Sequence, residues 1–238
     1  MSVNATTELA FRIEHQPEYA LLTVDLAAKQ QVFAEPGAMT WMSPTVSLKA
    51  GFKGGLGKTM GRMFAGESLI VSTYTAKDGA GSVSFAPGST GDIAHYRLTG
   101  STKLMLQRGA FLANGPGVEL TGKWQGARGF FSGEGLVLLM AQGTGDVFFN
   151  TYGAVFSIDV DGEYLVDTGY IVAFEDTLTY RISTVPGLRP GSKLKSFFLG
   201  GEGFVCRFSG RGRLWVQTRQ VGSFLGWVYP YRPTKNNN

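Results

Sequence analysis

The chain has one cysteine, Cys206, so it can form no internal disulfide, and nothing in it calls for an oxidising compartment. Charge is sparse. Asp, Glu, Lys and Arg make up 17% of residues, and the net charge of +4 permits an anionic partner without requiring one. No run approaches the roughly 18 apolar residues of a membrane-spanning helix. The first residues, Met1 to Glu14, lack a basic region followed by an apolar one, so no secretory signal is expected. These absences together point to a cytoplasmic protein.

Catalytic groups are also few. There are two histidines, His15 in a polar N-terminal stretch and His95 in "DIAHYRL". A Ser-His-Asp triad assembles in space rather than in sequence, but nothing marks one here. Cys206 lies in the strand-like "FVCRF", where a free cysteine behaves as a small buried hydrophobe rather than a reactive thiol. No spacing of His, Cys and Asp matches a zinc site or a calcium loop, so no metal and no cofactor are expected.

What is abundant is glycine, 34 of 238 residues, about twice the ordinary share. The glycines separate short runs of Val, Ile, Leu, Phe and Tyr, which reads as many strands joined by turns. The most glycine-rich stretch, "GFKGGLGKT" from Gly51, ends like a phosphate-binding loop. The spacing rejects that reading. The glycine required five residues before Gly57 falls on Phe52, and the following segment, Ser68 to Thr75, reads as strand rather than helix.

The chain resembles itself. "RMFAGESLIV", "RGFFSGEGLVLL" and "KSFFLGGEGFVC" each carry Phe, then Gly-Glu, then an apolar strand. The motif residues are Phe64, Gly66 and Glu67, then Phe131, Gly133 and Glu134, then Phe198, Gly201 and Glu202. The glutamates are 67 and 68 residues apart. A glycine turn and a second strand follow each motif, as "GAGSVSFA", "GTGDVFFN" and "GRGRLWVQ". A fixed long period marks a repeated structural unit. The expected organisation is three β units at residues 8–90, 91–153 and 154–228, then a partly disordered tail at 229–238, all in one compact body. Asp161-Gly162, Gly79 and Gly210 are expected to be hairpin turns, and no amphipathic helix is evident. The fold class is all-β, with antiparallel sandwich or barrel-like units in a pseudo-threefold arrangement that covers their edge strands.

On the triplicated Phe-x-Gly-Glu motifs and their paired strands, the chain resembles the AIM24 family over about residues 8–228. The resemblance implies units similar to the tryptophan RNA-binding attenuator protein fold. It implies no enzymatic activity, since none is established for the family. Eukaryotic members are linked to mitochondria and inner-membrane organisation. Glu8 and Glu14 fall where a mitochondrial presequence would be basic, so a prokaryotic-type member is expected.

The expected function is that of a non-enzymatic scaffold or binding protein that acts through its β surface, with self-association among its options and its partner unidentified. The alternative is binding of RNA or an anionic membrane surface. Candidate anion-binding residues are Lys53, Lys58 and Arg62 in the first glycine loop, and Arg207, Arg211, Arg213 and Arg219 around Phe208 and Trp215. An enzyme of unrecognised type is a third reading. The repeat glutamates either hold their own glycine turns or converge on a cation. Phe224, Leu225, Trp227 and Tyr229 are expected to cover a barrel end or form an interface, and Thr234 to Asn238 to be disordered.

Overall fold

The computed structural model describes residues 8–52, 70–123, 138–183 and 205–232. The repeat motifs around Glu67, Glu134 and Glu202, the cations Lys53, Lys58 and Arg62, and the terminal Thr234 to Asn238 lie outside these residues.

As expected, the molecule is all-β with antiparallel sheets. A first group of strands is β1 (Ala10–Glu14), β2 (Leu21–Leu26), β3 (Gln31–Ala34), β4 (Met39–Met42), β5 (Val46–Phe52), β6 (Ile70–Ala76) and β7 (Gly81–Phe85). A second is β8 (Ile93–Thr99), β9 (Leu104–Gln107), β10 (Phe111–Asn114), β11 (Val118–Lys123) and β12 (Leu138–Asn150). A third is β13 (Val155–Asp167), β14 (Ile171–Glu175), β15 (Leu178–Ser183) and β16 (Val205–Gln217), followed by a helix α1 (Val221–Val228).

In the first group, β7 pairs with β2 and β4, and β6 pairs with β3 and β5. In the second, the last half of β12 pairs with β8 and β10, and its first half with β9 and β11. In the third, the last half of β16 pairs with β14 and the first half of β13. The first half of β16 pairs with β15 and the second half of β13. The register slips at one place in each group: between Met39 and Trp41, Phe111 and Ala113, and Ile171 and Ala173. Such bulges bend a strand and increase its twist.

Glycines behave differently from the expectation in the longest strands. Gly79, at φ 123°, does lie in the connection between β6 and β7. Gly162 and Gly210 are not hairpin turns. They face each other across two unbroken 13-residue strands, at φ 107° and 118°. Gly143 plays the same part in β12 at φ 108°, where a Cβ would lie 2.3 Å from the Gly117 carbonyl oxygen. Positive φ at these mid-strand points is a conformation that residues with a side chain rarely adopt.

Two seams join the groups. β10 pairs with β3, and β14 pairs with β9. At the first seam a backbone contact is added: Ala20 N–H donates to the Gly91 carbonyl at 3.0 Å. The core follows the same order. One apolar cluster joins the first group to Ile93, Leu112, Ala113 and Phe148. Two further clusters join the second group to the third, one with Val172, Ala173 and Trp215, the other placing Met105 and Leu138 among residues of the third. Fully burying side chains of this size stabilises by roughly 1.5–3 kcal/mol each.

A closed threefold arrangement would also pair β4 with the second half of β13. Among the described residues no such pairing is made, and the three groups form an open series.

The helix α1 was not expected. Its sequence, "VGSFLGWV", has two glycines and β-prone aromatics, which favour strand or loop. No helix among the described residues is long and apolar enough to cross a membrane.

Candidate functional site

The arginine-rich strand β16 was the leading candidate for an anion site. Its arginines lie beside the acidic run Asp159-Val160-Asp161-Gly162-Glu163 of β13. Asp159 faces Arg213 and Asp161 faces Arg211 in register, while Glu163 reaches Arg207 diagonally. Arg213 Nε donates to Asp159 Oδ1 at 3.0 Å, Arg211 Nη2 to Asp161 Oδ2 at 3.0 Å, and Arg207 Nη1 to Glu163 Oε2 at 2.6 Å. The hydrogen bond to Asp159 holds the Arg213 guanidinium above its ordinary pKa. Arg219 is apart from this ladder and donates to the Thr218 carbonyl. The signal was present in sequence: acids and arginines both alternate with period two, so each set shares one face of its strand.

Glu175 ties this surface to the second group. Its Oε1 accepts from the Tyr96 hydroxyl at 2.9 Å and its Oε2 from the Arg213 backbone N–H at 2.9 Å. Burial, and then the Glu175 hydrogen bond, push the Tyr96 hydroxyl up to about 12. Tyr96 and Phe149 both meet the Trp215 ring edge-on, at 5.3 and 5.7 Å.

His95 lies beside Asp146, with Nε2 2.9 Å from Oδ1. The carboxylate is fully occupied, since Oδ2 accepts from Arg97 Nη1 at 2.8 Å and from the Leu9 backbone N–H at 2.9 Å. Burial raises the Asp146 pKa, but hydrogen bonds from His95, Leu9 and Arg97 outweigh it and hold the group below the usual carboxylate range. The imidazole packs at a tilt against both Phe11 and Phe148, whose own rings meet edge-on. This cluster anchors β1 to the second group. Cys206 is buried, and burial pushes its thiol up to about 12, far from a reactive thiolate.

A cleft of about 340 Å³ opens where the second and third groups meet. Gln107, Asn150, Thr168, Gln217 and Gln220 line it, with Val221 at the start of α1. Among the described residues its lining carries no charged side chain, so it suits neutral hydrogen-bonding groups. The side-chain oxygen of Asn150 is buried there without a protein partner among the described residues.

Large apolar groups are exposed at several places: Tyr19, Leu48, Phe156 and Ile182 are among them, and further ones lie on β4, the second half of β13 and α1. On β4 they are Trp41 and Met42, 55% and 36% exposed. On the second half of β13 they are Tyr164 and Leu165, 44% and 42% exposed. On α1 every residue but Val228 is exposed, including Phe224, Leu225 and Trp227. The Phe224 ring rests against Tyr152. Tyr229 and Tyr231 continue this apolar surface beyond the helix, with the Arg232 guanidinium 3.8 Å over the Tyr229 ring.

Comparison with known proteins places these features in a family of undetermined role. The chain is 28% identical to an uncharacterised protein of Streptococcus pyogenes serotype M6, over 96% of this chain and 93% of that one. The crystal structure of a Streptococcus pyogenes protein superposes with a TM-score of 0.77 at 27% identity, covering 94% of this chain and all of that one. The family model described as mitochondrial biogenesis AIM24 matches residues 11–219. The chain therefore belongs to the AIM24 family.

Proposed function

We propose that the protein is a non-enzymatic scaffold, built from three copies of one β unit and acting through its exposed sheet edges. The observation that carries this reading is the recurrence of one set of pairings, each with its register slip at the matching strand: β4, β10 and β14. The motif period of 67 and 68 residues supports the same division, into 8–90, 91–153 and 154–228, with 229–238 as a tail. A relation to the attenuator-protein fold and a cytoplasmic setting are part of the proposal.

On this reading Glu67, Glu134 and Glu202 occupy one position of the unit and accept hydrogen bonds from their own glycine turns. Replacing any one with alanine then destabilises by about 1–3 kcal/mol, because buried donors lose their acceptor. Unequal effects, or a melting temperature raised by added divalent cation, would favour a shared cation site instead. A broad screen for turnover tests the scaffold reading itself. An activity abolished by one substitution overturns it.

A second reading, attachment to an anionic membrane surface, is favoured by α1. It presents Phe224, Leu225 and Trp227 to solvent, with Arg219 and Arg232 at its two ends. Flotation with vesicles of anionic or neutral phospholipid tests it. Binding must prefer the anionic vesicles and weaken with salt.

A further inference from the structure

We infer that the cleft between the second and third groups binds one neutral sugar ring, whose hydroxyls meet the side chains of Asn150, Gln220 and Thr168. The inference goes beyond the scaffold reading and does not depend on it.

The cleft is built where the chain passes from the second group to the third. Asn150 closes β12 and Gln107 closes β9, while Thr168 opens the short turn between β13 and β14. Gln217 closes β16, and Gln220 caps α1. Bonds behind the wall hold it in place. Gln217 Oε1 accepts from the Tyr152 backbone N–H at 2.9 Å, and its Nε2 donates to the Gly169 carbonyl at 3.1 Å. Asp167 Oδ1 accepts from the Gly169 N–H at 2.8 Å and fixes the turn. Gln220 Oε1 accepts from the Ser223 hydroxyl at 2.9 Å, so the donor end of its amide is the end turned away from that bond. Gly169 makes room for it, since a Cβ there would overlap the Gln220 side-chain nitrogen. Such prior ordering lowers the cost of binding a ligand.

Asn150 carries the argument. The residue is 8% exposed, and its Oδ1 is buried without a donor among the described residues. An acceptor in that state is costly and calls for a donor. The outer torsion of asparagine is broad, so a turn of the amide brings Oδ1 to the cleft face. Thr168, also 8% exposed, adds a hydroxyl that both donates and accepts. Amides and hydroxyls together match a partner whose own groups do both, as sugar hydroxyls do. A carboxylate, phosphate or ammonium would find no opposite charge among the described lining residues. Ala110, Val221 and Tyr152 supply apolar wall for the C–H faces of a ring.

Size selects a single ring. The cleft of about 340 Å³ lies at the small end of ligand sites, which run from about 300 to 1,000 Å³. At roughly 30 Å³ per water it holds on the order of ten waters, enough to be displaced by one ring and too few for a length of polymer.

Saturation-transfer difference NMR on the full chain tests this. The probes are D-glucose, D-galactose, D-mannose and N-acetyl-D-glucosamine, with D-glucuronate, acetamide and a soluble glucan as comparisons. At least one neutral single-ring sugar is expected to bind saturably, and glucuronate about tenfold more weakly or not at all. Asn150→Leu, which keeps the bulk and removes the acceptor, is expected to weaken binding about tenfold or more. Gln220→Ala is expected to weaken it several-fold, and it keeps the test open if Asn150→Leu fails to fold. Trp41→Ser, in the first group, is expected to leave binding unchanged. A cleft that binds none of the neutral sugars overturns the inference, and so does binding that neither cleft variant weakens. Acetamide bound as tightly as the sugars, or binding by the glucan alone, also overturns it. Each of these failures leaves the scaffold reading standing, because the cleft contains no exposed sheet edge.

Discussion

Asp159 Oδ1 lies 3.0 Å from Arg213 Nε across the β13–β16 pair, and the two residues are direct register partners. With Asp161–Arg211 and Glu163–Arg207 this makes a ladder of three exposed cross-strand ion pairs. The strand that reads as basic in sequence is close to neutral as a surface. Changing Asp159, Asp161 and Glu163 together to their amides should therefore create polyanion binding where wild type has little. Retention on heparin at low salt checks this, and equal retention of the two proteins would contradict it. Stability should change by less than about 1 kcal/mol per pair, since these pairs are exposed.

Asp146 should make the protein acid-sensitive. Its pKa is lowered in the folded state, so the stability it supplies is complete above the ordinary carboxylate range of about 4. That stability is lost as pH falls through the lowered value. Asp146→Asn should cost about 1–3 kcal/mol at neutral pH, because the Leu9 and Arg97 donors lose a charged acceptor. It should also flatten the fall of stability below pH 4. Urea midpoints measured from pH 3 to pH 7 for both proteins decide it.

Cys206 should resist a thiol reagent in the folded protein. It is fully buried and its thiol is pushed up to about 12. Ellman's reagent at pH 8 should give no signal until denaturant is added, and then one thiol per chain.

Leu106 holds the seam between the second and third groups. It is fully buried and faces Ala173. Leu106→Ala should destabilise by about 2–5 kcal/mol through lost transfer energy and a residual cavity. Thermal unfolding should show this as one lowered transition. An unchanged melting temperature would mean that the seam bears little of the stability.

Much of this fold is legible in the sequence because its signals are local. Alternating apolar residues and glycine-bearing connections announce antiparallel strands, and Gly79 does lie in such a connection. Gly162 and Gly210 misled because positive φ serves a tight turn and a mid-strand bend equally well. The helix at Val221 misled because its glycines and aromatics favour other local states, and it buries no side chain that would leave an apolar stripe to read. The arginines of β16 looked free because their partners lie about 50 residues earlier in the chain. The pairing of His95 with Asp146 was hidden for the same reason, being set by the β8–β12 register across 51 residues.

The central proposal is that this chain is a scaffold acting through its exposed sheet edges, and amide hydrogen exchange tests it most directly. Exchange is compared in dilute and concentrated protein, with the core strands β2 and β12 as internal references. Residues 39–43 and 163–167 should gain protection together as concentration rises, while the references stay unchanged. Protection at both edges that is independent of concentration, in a protein that sediments as one chain, would contradict the account.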